Sequence, residues 1–119
     1  MTPYAYVLAV QDLHRSARYY RDVLGFTLSW EEATDWRLLQ RGAVRLMLGA
    51  CPTDRPASEI GSHSWFGYID VDDVAALRNE LATRGAQCTD LRDQPYGMRE
   101  FTVTTPDGHR LVFAQQQAP

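Results

Sequence analysis

The sequence predicts an α+β fold: two copies of one βαβββ unit forming a curved mixed sheet with a shared concave cavity. Three observations carry this. The chain has 119 residues and 13.5 kDa, enough for a single domain with a core of its own. Apolar periodicity passes from strand to helix to strand twice, in the same order. Landmark residues also recur at nearly constant spacing. Val10-Gln11-Asp12-Leu13 matches Val71-Asp72-Asp73-Val74 at an offset of 61, Gly25 matches Gly85 at 60, and Arg45-Leu46-Met47-Leu48 matches Arg110-Leu111-Val112-Phe113 at 65.

Repeat one covers residues 4–50. Residues 4–10 (YAYVLAV) are a β-rich apolar run, and Asp12 then offers a helix N-cap. Leu13, Ala17, Tyr20 and Leu24 follow at helical spacing until Gly25 supplies a left-handed stop. FTLSW (26–30), DWRLLQ (35–40) and VRLML (44–48) are short enough to be strands, the last two joined by a turn at Arg41 and Gly42. Residues 51–63 dissolve into Pro, Asp, Ser and Gly, the composition of a linker or mobile loop.

Repeat two covers residues 64–115. WFGYIDV (65–71) is its first strand, Asp72 or Asp73 caps a helix that places Val74, Leu77 and Leu81 on one face, and Gly85 ends it. CTDLRD, REFTVTT and RLVFA read as three further strands, with Pro106-Asp107-Gly108 turning between the last two. A βαβββ unit covers one sheet face with its helix and leaves the other bare, so two such units should share a cavity between bare faces.

Composition narrows the function classes. A net charge of −3 gives no basic footprint, which excludes nucleic acid as the expected partner. All 12 basic residues are Arg, as codon bias in a GC-rich bacterial genome would produce. Cys51 and Cys88 lie 37 residues apart with no ligand-like spacing, so incidental free thiols are expected. No apolar run reaches membrane-span length and no basic start leads into one, so a cytoplasmic protein without a membrane partner is expected.

DLHRSARYYRDVLGF near the start and PYGMREFTVTTPDGHRLVFAQ near the end resemble the vicinal oxygen chelate superfamily, which holds glyoxalases, extradiol dioxygenases and bleomycin-resistance proteins. The likeness spans nearly the whole chain and implies the glyoxalase/bleomycin resistance fold. It also implies four inward metal-ligand positions, usually His or Glu, which fall here on Ala5, Met47, Phe66 and Val112. None offers an oxygen or imidazole donor, so the expectation is no metal and no cofactor.

Taking Met47 and Phe66 as inward references, strand alternation turns Tyr68 and Asp70 to the open face and leaves Ile69 and Val71 under a helix. The expected ligand-binding set is Trp30, Trp36, Leu38, Met47, Phe66, Tyr68, Asp70, Tyr96, Met98, Glu100 and Val112. For Trp30 and Trp36, core packing is the competing reading. Asp70, Arg99 and Glu100 could fix polar groups at the rim, with a carboxylate also able to attract a cationic ligand, and the competing reading is a solvated strand face. His63 is read as a loop histidine, and His14 and His109 as solvent-facing. Arg45 and Arg110 occupy equivalent repeat positions, which suggests a structural role. No catalytic residue stands out, because no Ser, Cys or Lys nucleophile has an adjacent base.

The resemblance therefore implies a homodimer, with clefts shared between subunits, that sequesters a small-molecule or peptide antibiotic carrying planar rings. A bleomycin-like glycopeptide or an intercalating peptide would suit it. The alternatives are a lyase or isomerase of the same superfamily acting on a small oxygenated substrate, and a regulatory module that takes a metabolite.

Overall fold

The computed structural model describes residues 1–118. The chain divides into two compact units, residues 1–56 and a second that begins at Ala57. Each unit carries one mixed sheet and one helix.

In the first unit, strand β1 (Tyr6–Val10) leads to helix α1 (Leu13–Asp22), then β2 (Thr27–Ser29), β3 (Trp36–Arg41) and β4 (Val44–Ala50). The sheet order is β1-β4-β3-β2, with β1 parallel to β4 and the other pairs antiparallel. Asp12 caps α1 by accepting the Arg15 N–H at 3.1 Å. After the helix the Phe26 N–H returns to the Tyr20 carbonyl at 2.9 Å, closing the last turn. Leu13, Ser16, Ala17 and Tyr20 form the buried stripe of α1. The sheet meets it with Leu8, Val10, Leu39, Leu46 and Leu48, all on one side by strand alternation.

The second unit repeats the plan. Strand β5 (Trp65–Asp70) precedes helix α2 (Val74–Thr83), and β8 (Met98–Thr104) and β9 (Arg110–Gln116) complete the main ladder in the order β5-β9-β8. Asp73 is the cap, accepting the Ala76 N–H at 3.0 Å. Phe101, Val103, Leu111 and Phe113 are buried on the helix side, where Phe101 and Phe113 stack at 5.4 Å between ring centroids.

Two local departures matter for the site. The single strand expected at CTDLRD is split into β6 (Gln87–Cys88) and β7 (Arg92–Asp93), both antiparallel to β8. At the break the Thr102 N–H donates to the Thr89 side-chain oxygen at 2.8 Å, so a hydroxyl takes the place of a strand carbonyl. Residues 51–63 are also more ordered than a plain linker. They include a 3-10 turn at Ala57–Glu59, and a second turn, Gly61–Ser64, leads directly into β5. Ala57 is buried and the Ser58 N–H donates to the Asp107 carbonyl at 3.0 Å. No described helix is long and apolar enough to cross a membrane.

Candidate functional site

The four positions that a metal centre of this fold would use can be tested on their donors. Ala5 lies just before β1, Met47 on β4, Phe66 on β5 and Val112 on β9. Their side chains present methyl, thioether, phenyl and isopropyl groups, which do not fit a hard divalent ion. Among the described residues, no group of three or more His, Cys, Asp or Glu side chains could hold a metal instead.

In the first unit the sheet face turned away from α1 is apolar. Leu38 is paired with Met47 and Val7 with Met47 across adjacent strands, and Trp36 is paired with Gly49. A Cβ on Gly49 would lie 2.9 Å from the Trp36 ring, so the indole covers the glycine backbone closely. Trp36 nevertheless remains 42% exposed, which makes it a half-open wall instead of a core residue. Trp30 follows β2 with φ of 60°, a left-handed conformation that a bulky residue rarely adopts. Buried Arg37 holds that turn together by donating to the carbonyls of Trp30, Ala33 and Trp36. Trp30 is itself exposed.

In the second unit the corresponding face is polar and hollow. Opposite residues on neighbouring strands form cross-sheet rows: Asp70, Ala114, Glu100 and Arg92 in one, Tyr68, Val112 and Thr102 in the next, Trp65, Arg110 and Thr104 in the third. A cavity of about 360 Å³ opens there, lined by Trp65, Arg110, Thr104, Thr102 and Glu100, with Thr89, Arg92 and Gln94 along the edge. Arg110 is fixed in place. Its guanidinium lies 3.7 Å from the centroid of the Trp65 ring and donates to the Ser64 hydroxyl at 2.7 Å and the Gly61 carbonyl at 3.1 Å. Arg45 stacks on Tyr4 in the same way, at 4.6 Å, so the structural role suggested by repeat equivalence has a physical form in both halves.

Glu100 is the notable member of this face. Only 9% of it is exposed, although it is a carboxylate on the side of the sheet away from the helix. Two phenols cover it: Tyr68 donates to its Oε1 at 3.2 Å, and Tyr96 donates to the same oxygen. Tyr68 reaches it diagonally from the neighbouring row, where it stands opposite Val112, while Glu100 stands opposite Ala114. Tyr96 arrives from a tight hairpin. The Gly97 N–H donates to the Gln94 carbonyl, the Gln94 N–H to the Met98 carbonyl, and Gly97 has φ of 87°. This is a type I turn followed by a left-handed glycine, with Pro95 in the position that favours its φ. The Glu100 hydrogen bond drives the Tyr96 phenol well above the usual phenolic range, and burial of the hydroxyl adds to it. Burial is the main cause of a smaller rise at Tyr68.

Two sequence expectations change in this unit. Phe66 does not follow the alternation, because the β5–β9 register shifts between Trp65 and Gly67. Trp65 therefore stands opposite Arg110 on the open face, and the Phe66 ring packs edge-on against His109 at 5.4 Å. His109 is not solvent-facing: it is 8% exposed, its Nδ1 has no hydrogen-bond partner, and burial lowers its pKa against an opposing pull from Asp107. The sequence reading also omitted Trp65, Arg92 and Thr102. The signal available for Tyr96 was Pro95-Tyr96-Gly97 itself, which has the pattern of Pro106-Asp107-Gly108 and lies just ahead of Glu100.

Of the remaining expected site residues, Asp70 and Val112 lie on the second unit's open face, one exposed and the other buried, and Met98 sits half-buried at the start of β8. Trp30, Trp36, Leu38 and Met47 all belong to the first unit. Arg99 is paired with Asp93 at 2.7 Å. His63 lies exposed in the second 3-10 turn. The Cys88 thiol is pushed up by burial, which disfavours its reactive thiolate.

Comparison with known proteins places this architecture. A chain 31% identical over 110 residues, covering 85% of both sequences, is the uncharacterized protein YaeR of Escherichia coli K12. Among solved structures, a bleomycin resistance determinant encoded on the transposon Tn5 superposes with a TM-score of 0.81 at 24% identity, covering 99% of this chain and 100% of that one. The bleomycin-binding protein of Streptomyces verticillus, complexed with copper(II)-bleomycin, gives 0.74 at 23% identity and covers 100% of this chain and 98% of that one. TnmS3, an antibiotic binding protein from Streptomyces sp. CB03234, gives 0.70 at 22%, covering 98% of both chains. The family model matches residues 4–113, so the chain belongs to the glyoxalase/bleomycin resistance protein/dioxygenase superfamily.

Proposed function

We propose that this chain binds and sequesters an antibiotic bearing planar aromatic groups, without a metal, and so confers self-resistance or drug resistance. The suited ligands are a bleomycin-like glycopeptide or an intercalating peptide antibiotic. The protein would act as a cytoplasmic homodimer with its ligand cleft shared between subunits. The observation that carries the reading is the pairing of apolar side chains at Ala5, Met47, Phe66 and Val112 with exposed aromatic rings, among them Trp36, Trp65 and Tyr68 on the strands and Tyr96 in the hairpin before β8. Aromatic pairs contribute on the order of 1 kcal/mol each beyond area burial, so a few rings suffice for a planar ligand. The antibiotic-binding proteins that share the fold support the same reading.

The alternative, a lyase or isomerase acting on a small oxygenated substrate, finds less support. None of the residues lining the second unit's cavity is a His, Cys or Lys, and Tyr96 holds its proton too firmly to serve as an acid near neutral pH. Isothermal titration with bleomycin and with a quinoxaline-type peptide tests the proposal. Saturable heat with either supports it, and the absence of heat with both at concentrations far above those of useful protection counts against it.

A further inference from the structure

We infer that the cavity on the open face of the second unit's sheet takes a planar ligand carrying a protonated amine, amidine or guanidine, with Glu100 as its counter-ion. This rests on the planar-ligand reading above and adds to it a charge and a place.

The argument starts from the cost of Glu100. A carboxylate that is 9% exposed has lost most of its hydration, and such groups are ordinarily paired with a cation. Among the described residues, no arginine forms an ion pair with it. Arg110, in the same cavity, is committed to Trp65, Ser64 and Gly61. Arg92 stands across from Glu100 in the β7–β8 register, yet its side chain is exposed and makes no ion pair. Among the described residues the donors to Glu100 are neutral, the hydroxyls of Tyr68 and Tyr96, and both address Oε1. Oε2 accepts from none of the described residues, and Glu100 lines a cavity of about 360 Å³, within the range of small-molecule sites.

The two phenols therefore serve one oxygen of the carboxylate and orient the group. The second oxygen is left without a donor among the described residues, Arg92 at the cavity edge making no ion pair with it. A cationic N–H group meets that need, through a charge-assisted hydrogen bond strengthened by partial exclusion of water. The Trp65 ring at the far end of the same cavity offers a flat apolar surface, with one face already taken by Arg110. Together they describe a ligand with a flat ring and a positive group at one edge.

Three acridines of one ring system separate the possibilities by titration at about pH 8: 9-aminoacridine is a cation there, acridine is neutral, and acridine-9-carboxylate is an anion. The expected result is 9-aminoacridine bound about tenfold or more tightly than acridine, as one charge-assisted hydrogen bond provides. In Glu100→Gln, whose amide oxygen still accepts from both tyrosines, that preference should vanish while acridine binding is unchanged, which also shows the variant to be folded. Equal binding of cation and neutral ring, a preference that survives in Glu100→Gln, or a preference for the carboxylate overturns the inference and leaves the planar-ligand reading standing. Failure of all three acridines to bind also overturns the inference, and the titrations with bleomycin and the quinoxaline-type peptide then decide the planar-ligand reading by themselves.

Discussion

The two halves of this chain keep the same skeleton and differ on the face that the skeleton leaves bare. Both begin with an aromatic residue stacked under an arginine, Tyr4 with Arg45 and Trp65 with Arg110. Both cap their helix with an aspartate, Asp12 and Asp73. On the bare face they part. The first unit presents Val7, Trp36, Leu38 and Met47, and the second presents Trp65, Glu100, Thr102 and Arg110 around a cavity. Residues that hold helix to sheet are fixed by packing, where a change of one methylene is felt. Residues on the bare face carry no such duty, and there the halves have diverged into an apolar wall and a polar hollow.

The sharpest test of shared skeleton against local specialisation is at the turns before the last strand of each unit. Gly42 has φ of 57° and nothing within 4 Å of where a Cβ would sit. Gly108 has φ of 94°, and a Cβ there would come 2.3 Å from the Ser58 backbone nitrogen. Gly42→Ala should cost about 1 kcal/mol, the conformational penalty alone. Gly108→Ala adds a backbone clash and should cost about 3 kcal/mol or more, since the Ala57–Glu59 turn must leave its seat. Urea denaturation of both variants reads the difference. Equal midpoints would mean that the turn at residues 57–59 is not anchored on the Pro106-Asp107-Gly108 hairpin.

The arginine pair comes next in size. Arg110→Ala removes the stack on Trp65 and two hydrogen bonds, an expected loss of about 1–2 kcal/mol. Arg45→Ala removes only the longer stack on Tyr4, worth about 0.5 kcal/mol. The Trp65 emission spectrum should shift red in the first variant and stay unchanged in the second. A smaller effect belongs to the apolar wall. Gly49→Ala should push the Trp36 ring off the β4 backbone at about 1 kcal/mol or less, visible as a change in acrylamide quenching of the indole.

How much of this was legible in the sequence depends on whether the deciding contact was local. The order of elements was legible because helix caps and glycine stops are written within a few residues of the structure they cause, as at Asp12 and Asp73. The face of Met47 and Leu38 was legible because uninterrupted strands alternate with period two. The face of Phe66 was not, since one bulge moves the strand out of phase and hands the position to Trp65. At the break between β6 and β7, Thr89 meets Thr102 through its hydroxyl and its own N–H, a contact 13 residues apart in sequence. The burial of Glu100 depends on two tyrosines 32 residues and 4 residues away in sequence. A strand carboxylate looks the same in the sequence whether or not a phenol has closed over it.

The smallest effect distinguishes the halves by pH. His109 sits in the second unit, 8% exposed, with an unpaired Nδ1 and its pKa lowered chiefly by burial. The folded state therefore binds a proton less readily than the unfolded chain, in which histidine titrates near about 6.5. Above that pH both states carry neutral imidazole and the contribution to stability is complete. As pH falls through that value the unfolded chain takes up the proton first, so stability declines until the lower folded-state pKa is reached. His109→Gln should flatten this part of the pH–stability curve, because glutamine does not titrate. If the slope below neutrality survives in His109→Gln, the acid sensitivity belongs to other groups, and the contact of Phe66 with a neutral imidazole is not what stabilises this corner of the second unit.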